Sequence, residues 1–433
     1  MERIQVIRGM RDIFPEQARW WRRMESQLAA FLDLYGYGEI RTPLIEQTGL
    51  FKRSIGEQTD IVEKEMYTFT DRDGASLTLR PEGTASVIRS YIETSLWQTE
   101  PVSRLFYLGP MFRHERPQKG RYRQFSQLGV ELIGAAQPAA DVEMIDIMVN
   151  GMAAIGLIDT SLELNSMGCP LCRPAYREKL ITYLEEHAEN LCQDCRRRMK
   201  TNPLRVLDCK VEGCKQIAGQ APRMLDSLCT ECAEHFALVR RGIESIEIPY
   251  NLNHRMVRGL DYYSRTTFEL LAPGLGSQNA VAGGGRYDGL VEHLGGPSIP
   301  AVGFAAGLDR ILLRLLETIA NPQRQQPVFV VSRGEQAWLS GLGVLRALRS
   351  AGISAESDAR QGSMKAQMKR ADKAGARFVI LLGEDEIERG VLTIKDMAAA
   401  ADSPDKQFEI QTGNVVEELV SRLAADATRE APQ

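Results

Sequence analysis

The sequence predicts an α+β protein in three parts: a long helix-and-hairpin portion, a cysteine-rich insertion inside it, and a small α/β domain at the C-terminal end. Three observations carry this. Hairpin signals recur: Asp73-Gly74 turns one pair of strand-like runs, and a long polar loop joins another. All eight cysteines fall between Cys169 and Cys232. After the polar, Pro-containing stretch NPQRQQP (321–327), apolar runs alternate with amphipathic ones, as in a layered strand-helix domain.

The elements follow in order. Pro15 to Tyr35 reads as a helix, with Trp20, Met24, Leu28 and Phe31 on one face and Gly36 as its stop. EIRTPLIE (39–46) reads as a short edge or interface strand, because Pro43 lacks a donor. EMYTFTDRDGASLTLRPEGTAS reads as a hairpin followed by a helix opening at Glu82–Thr84. RLFYLGPMFRHERPQKGRYRQFSQLGVELIG reads as two strands joined by a loop with five Arg or Lys between Arg113 and Arg123. A helix over DVEMIDIMVNGMAAIGL and a strand over SLELN lead into the insertion, which carries its own helix and the basic run RRRMK. Strands resume at Ile246, including VRGLDYYSRTTFEL (257–270). AVGFAAGLDRILLRLLETI (301–319) reads as one long apolar helix.

Composition bounds the function. The 433 residues suit two or three domains, and 43% apolar with 25% charged residues is ordinary for a soluble globular chain. A net charge of -4 gives no global basic signature, so a nucleic-acid partner needs a local basic track. No apolar run is long enough for a bilayer, and the N-terminus lacks the apolar core of a signal peptide. The expectation is a cytoplasmic protein.

The cysteines pair at knuckle spacing: Cys169 with Cys172, Cys192 with Cys195, Cys209 with Cys214, and Cys229 with Cys232. In a cytosolic chain this points to tetrahedral zinc rather than disulfides; inert buried thiols are the alternative. Four half-sites build two four-thiolate sites in three ways, and spacing does not choose among them.

Other stretches carry chemistry. A strand presenting Arg113 and Glu115 on one face offers a fork for phosphate or carboxylate beside an acceptor for an exocyclic amine. Phe125 on the return strand adds a stacking face. Together they suit a nucleotide; a solvated charged hairpin is the alternative. VAGGGRYDGL (281–290) carries three glycines that permit close backbone approach or a tight bend, and no dinucleotide fingerprint. Arg310, in an apolar helix, needs an anion or a carboxylate such as Asp309. In 257–270, Arg258, Asp261, Tyr262 and Tyr263 are more polar groups than a core strand needs.

In this order the pieces resemble class II aminoacyl-tRNA synthetases, and specifically the bacterial histidyl-tRNA synthetase family. RTPLIE resembles motif 1, FRHERPQKGRYRQFSQLGVELIG motif 2 and AVGFAAGLDRILL motif 3. RGLDYYSRTTFE with AGGGRYDGL selects the histidine family. IRGMRDIFPE, LRPEGT, NPLRVLD and GSMKAQMKRADKAGARFVILLGEDE match as well, so the resemblance covers essentially the whole chain.

The resemblance implies an antiparallel sheet flanked by helices (1–167 and 246–320), a cysteine-rich insertion (168–245), a linker (321–327) and an anticodon-binding domain (328–433). It implies ATP-dependent ligation of L-histidine to its tRNA through a histidyl-adenylate, with ATP entering as its Mg2+ complex, and a homodimer. Arg113 would grip the α-phosphate, Glu115 read the adenine amine, and Phe125 and Arg310 sandwich the ring. Arg121 would reach the terminal phosphate. Arg258 would lie between the histidine carboxylate and the α-phosphate. Glu82, Gly83, Thr84 and Gln127 would hold the amino-acid backbone end. Glu131 and Tyr263 would bond the imidazole nitrogens, with Tyr262, Tyr287 and the 283–285 glycines around them, and Asp261 orienting a neighbour. The loop 116–123 and the basic residues Lys365, Lys369, Arg370, Lys373 and Arg377 are candidate tRNA contacts; a solvated face is the alternative for each. The eight thiols are not needed for this chemistry, so zinc there would be structural. The rival readings are a non-catalytic histidine-sensing paralogue, an RNA-binding zinc module and a class II synthetase for another amino acid.

Overall fold

The computed structural model describes residues 3–56, 59–257, 260–275, 279–319, 326–400 and 402–430, with side chains up to 424. The chain divides into two compact units, Met1–Asn321 and Pro322–Gln433.

In the first unit, helix α1 (Pro15–Leu34) leads into strands β1 (Gly38–Glu39) and β2 (Ile45–Gln47) and helix α2 (Thr48–Ile55). The hairpin β3 (Tyr67–Thr70) and β4 (Ser76–Leu79) precedes α3 (Thr84–Glu93). Strands β5 (Ser103–Phe112) and β6 (Gln124–Ile133), helix α4 (Pro138–Ala154) and strand β7 (Ser161–Ser166) follow. The insertion holds α5 (Arg173–Glu186), α6 (Gln193–Thr201), α7 (Glu212–Gln220) and α8 (Thr230–Ser245). Then come β8 (Tyr250–Leu252), β9 (Ser264–Leu271), β10 (Ala280–Arg286), α9 (Leu290–His293), β11 (Ala301–Gly307) and α10 (Leu308–Thr318).

Eight strands form one sheet in the order β1-β5-β6-β11-β10-β9-β7-β8. The six inner strands pair antiparallel, and both edge strands pair parallel. One sheet face packs on α1, α4 and α8 through Met24, Leu28, Met144, Met148 and Val239, all at most 1% exposed. The insertion has a separate core built of its cysteines together with Tyr176, Leu180, Leu184 and Ile217.

Several expectations change. Arg113 and Glu115 follow the end of β5 at Phe112 and sit on no strand, so strand period does not place them. EIRTPLIE is two strands in two sheets: β1 lies beside β5, while β2 pairs with β4. The first half of AVGFAAGLDRILLRLLETI is strand β11, not helix. It is buried between β6 and β10, and strands buried on both faces lose the alternation that identifies a strand. The glycines 283–285 lie inside β10, not in a tight turn, with a register shift against β9 between Gly285 and Arg286; they serve close backbone approach, since a Cβ on Gly284 would meet the Gly303 carbonyl oxygen at 2.1 Å. The polar half of 257–270 precedes its strand, because β9 starts only at Ser264.

The second unit has strands β12 (Val328–Ser332), β13 (Ala355–Ser357), β14 (Phe378–Leu382), β15 (Val391–Asp396) and β16 (Gln407–Gln411). Their order is β13-β12-β14-β15-β16, parallel across the first three and antiparallel after that. Helices α11 (Glu335–Ser350), α12 (Met364–Lys373), α13 (Glu384–Arg389) and α14 (Val415–Glu430) accompany them. On and just after α12, Lys365, Lys369 and Lys373 are exposed, but Arg370 pairs with Asp358 and Arg377 with Asp396. Those two arginines hold the fold, which leaves the three lysines as the solvent-facing cations of the set. No helix among the described residues is long and apolar enough to cross a membrane.

Candidate active site

Strand periodicity builds the site. Phe125, Gln127, Gly129 and Glu131 alternate along β6 and so share one face over roughly 20 Å. Gly129 lies opposite Tyr107 of β5, and the Tyr107 ring fills the space a Cβ would need. Gly83 yields to the same ring: its Cβ would sit 2.3 Å away. Helix α3 therefore starts hard against the sheet, and the turn before it reaches the site.

At one end is a cleft of about 230 Å³, lined by Arg113, Glu115, Arg121, Phe125, Gln127, Gly283 and Arg310 among others. Arg113 Nε donates to the Pro81 carbonyl at 2.8 Å, and its guanidinium stands 5.3 Å from the Phe125 ring centre. Glu115 accepts from Arg121 Nη1 at 2.8 Å. Arg310 Nη1 donates to the Ala280 carbonyl at 2.8 Å, while its buried Nε has no hydrogen-bond partner among the described residues. Burial, together with the nearby Arg121, lowers the Arg310 pKa, so an anion placed here would relieve both effects. Asp309 is not the partner of Arg310. One of its oxygens takes Arg11 Nη2 and the other the Ser126 N–H, each at 2.7 Å.

Arg11 was missed by residue-level reasoning. It ties the N-terminal segment to Asp309, a residue of the cleft wall, and lies 4.3 Å from the Tyr122 ring centre. The match of IRGMRDIFPE was the available signal, but it did not say what the segment touches. A second cavity, of about 420 Å³, shares Arg121, Ala280 and Arg310 with the first and adds Lys210, Lys215 and Arg255.

At the other end, Glu131 is 1% exposed. Thr84 Oγ1 donates to its Oε1 at 2.6 Å, and the Tyr287 hydroxyl donates to its Oε2. Burial pushes its pKa up to about 8 against those two bonds, with Glu82 adding to the rise. Gly303 lies directly across from Glu131, and a Cβ there would sit 1.9 Å from Oε2. Glu82 is also buried and raised by that burial; its oxygens accept the N–H groups of Thr84 and Ala85 at 2.8 and 2.9 Å, capping α3. Gln127 Oε1 is buried without a hydrogen-bond partner among the described residues. The rings of Tyr262, Tyr263 and Tyr287 cluster, with centres 4.7 to 6.4 Å apart. Arg258 lies outside the described residues. Asp261 accepts from Asn202 Nδ2 at 3.3 Å, which ties it to the insertion.

The thiols form two groups: Cys169, Cys172, Cys229 and Cys232, and Cys192, Cys195, Cys209 and Cys214. The sulfurs within each lie within 4.8 Å of one another. The outer half-sites join each other, as do the inner ones. Adjacent sulfurs are 3.7 to 4.0 Å apart, too far for disulfides. A tetrahedron of Zn–S bonds of about 2.3 Å has edges of about 3.8 Å, so the donor set fits such an ion. In RRRMK, Arg196 bonds the Leu191 and Glu189 carbonyls and Arg198 approaches Asp60.

An antiparallel sheet holding an arginine–carboxylate–aromatic cleft beside a buried polar pocket, joined to a five-stranded α/β unit, is the class II aminoacyl-tRNA synthetase architecture. Residues 9–311 match the family model described as histidyl-tRNA synthetase, and 328–422 match that of the anticodon binding domain. The chain belongs to the histidyl-tRNA synthetase family. It is 50% identical to the histidine–tRNA ligase of Trichlorobacter lovleyi over 92% of this chain and 94% of that one. It is 47% identical to that of Geobacter sulfurreducens over 96% and 99%. The crystal structure of apo Staphylococcus aureus histidyl-tRNA synthetase superposes with a TM-score of 0.80 at 37% identity, covering 96% of this chain and 99% of that one.

Proposed function

We infer that the chain is an ATP-dependent histidine–tRNA ligase, which activates L-histidine as histidyl-adenylate and passes the histidyl group to its tRNA. The observation that carries the reading is the single face of β6, which leads from the nucleotide-type cleft at Phe125 to the buried polar pocket at Glu131. A non-catalytic sensor has no need of Arg113, Glu115 and Arg310 converging on one cleft beside a match to an anticodon-binding domain.

Activation joins two anions, the histidine carboxylate and the α-phosphate, so the chain must neutralise charge and align groups. ATP enters as its Mg2+ complex. Arg113 holds the α-phosphate, Phe125 and Arg310 enclose the adenine, and Arg121 leaves Glu115 for the terminal phosphate, freeing Glu115 for the exocyclic amine. Arg258 is assigned to the histidine carboxylate and the α-phosphate, acting as charge shifts between them. Glu82, Gly83, Thr84 and Gln127 hold the amino-acid backbone end; the unpaired Gln127 oxygen supports this for the ammonium group. Glu131 and Tyr263 take the imidazole nitrogens, enclosed by Tyr262 and Tyr287. A competing side chain would leave those buried groups unpaired, a penalty that separates substrates by roughly 10⁴ or more.

The catalytic domain comprises 1–167 and 246–320, the insertion 168–245, and the anticodon-binding domain 328–433 after the linker 321–327. The loop 116–123 and the three exposed lysines of α12 contact tRNA. The two thiolate groups hold structural zinc. The protein works in the cytoplasm as a homodimer joined through the motif 1 segment, where Leu44 and Ile45 are exposed in the single chain. Amino-acid-dependent exchange of pyrophosphate into ATP tests the activity: histidine alone supports it, and failure of histidine to support exchange refutes the reading.

A further inference from the structure

Arg173 follows Cys172 directly and opens α5. Its Nη2 donates to the main-chain carbonyl of Tyr263 at 2.5 Å, and its Nε to that of Met167 at 3.3 Å. One guanidinium thus joins the first cysteine knuckle to the segment carrying the tyrosines. The next residues tighten the same seam. The Arg265 N–H donates to the Gly168 carbonyl at 2.9 Å, and the Met167 N–H to the Arg265 carbonyl at 2.7 Å. Arg265 holds a φ of 51°, a left-handed conformation uncommon for a non-glycine residue, and the two main-chain bonds to Gly168 and Met167 hold it there.

The other half of the same thiolate group also reaches Arg265. Cys229 and Cys232 flank the start of α8, whose Glu231 pairs with Arg265. One α8 turn further on, His235 Nε2 lies 3.2 Å from Asp141, which pairs with the fully buried Arg286, the neighbour of Tyr287. Cys169 Sγ is 3.8 Å from Cys229 Sγ, and Cys172 Sγ is 4.0 Å from Cys232 Sγ. A cation bound by all four would cross-link the knuckle that aims Arg173 to the helix that holds Arg265.

We propose that the group Cys169, Cys172, Cys229 and Cys232, holding a soft divalent cation, positions Tyr263 through Arg173 and so sets the affinity for histidine. Arg173 is a positioning residue: it acts on Tyr263 through the main-chain carbonyl. This rests on the reading of Tyr263 as a contact of the histidine side chain. A purely structural role for the cluster predicts loss of stability with no preference between the two substrates.

The test compares full-length Arg173→Ala, Arg173→Lys and Tyr263→Phe in pyrophosphate exchange, varying histidine and ATP separately. Arg173→Ala is expected to raise the histidine KM about tenfold and leave the ATP KM within about twofold, the scale of one charge-assisted hydrogen bond lost. Arg173→Lys, which keeps the charge and a donor, is expected to recover part of the loss, and it carries the comparison if the alanine variant does not fold. An unchanged histidine KM in the arginine variants, or an equal rise in both KM values, overturns the proposal when Tyr263→Phe does raise the histidine KM. If Tyr263→Phe leaves it unchanged, the pocket reading itself falls, and the proposal with it. Separately, chelation of the wild-type chain, with metal loss confirmed by elemental analysis and fold by circular dichroism, is expected to weaken calorimetric histidine binding, and zinc to restore it. Unchanged binding in the metal-depleted chain, or purified protein without metal, overturns the role of the cation.

Discussion

Thr84 Oγ1 donates to Glu131 Oε1 at 2.6 Å, so the first residue of α3 holds one oxygen of a carboxyl buried in the central sheet, while Tyr287 holds the other. Glu131 keeps its proton to about pH 8 in the folded chain, against an ordinary value of 4.5. Between those values the folded state binds more protons than the unfolded one, so this group's contribution makes stability fall as pH rises through the window. Glu131→Gln should flatten that fall. Denaturant midpoints measured across the window check it; an unchanged slope contradicts the assignment.

Gly303 faces the same carboxyl from β11. In Gly303→Ala the added methyl would press on Glu131 Oε2 and on the Val130 carbonyl, 1.9 and 2.6 Å from its ideal place. Overpacking of this kind costs about 1–3 kcal/mol. The variant should also raise the histidine KM more than the ATP KM, measured in pyrophosphate exchange.

Arg286 and Asp141 are both 0% exposed at the side chain and pair with each other. Arg286→Ala strips the Asp141 carboxylate of its guanidinium and leaves it only His235 in the interior, a loss of about 3–5 kcal/mol in chemical denaturation. Exchanging both residues for apolar ones of similar volume should cost much less, because no buried charge is then stranded.

Elemental analysis should find two zinc ions per chain, one for each thiolate group. Cys214→Ala should remove one equivalent and leave the other, since Cys214 belongs to the group that excludes Cys169 and Cys232. Chelation should lower the melting temperature. A metal-free chain with an unchanged melting curve would sink the assignment.

Arg258→Ala should reduce the rate of histidine activation by about 10²–10³, the scale of a lost donor to developing charge. Histidine binding measured without ATP should change far less, because the arginine acts on charge that shifts during the reaction. Equal losses in rate and affinity would contradict this role.

Legibility differed by residue. Arg113, Glu115 and Phe125 were readable as a nucleotide-binding set from residue type and their place in a hairpin, whereas Gln127 and Glu131 came from the motif resemblance, and their shared face with Phe125 emerged with β6. Strand β11 was misread because AVGFAAG is buried on both sides and carries no alternation. Asp309 was one of two partners open to its sequence neighbour Arg310, a ligand anion being the other, and in the fold it serves Arg11, 298 positions away. Arg370 and Arg377 sat in a basic pattern that looked solvent-facing, yet their acid partners lie on other elements.

The residue sequence by itself determined the family, the chemical inventory of the two pockets and the presence of paired thiols, because motif order and residue type are local properties of the chain. Tertiary structure alone decided which half-sites meet, that Gly303 makes room for Glu131, and that Arg173 ties a cysteine knuckle to Tyr263. Each of these depends on contacts between segments far apart in the chain, and spacing along a sequence carries no information about which distant segments pack together.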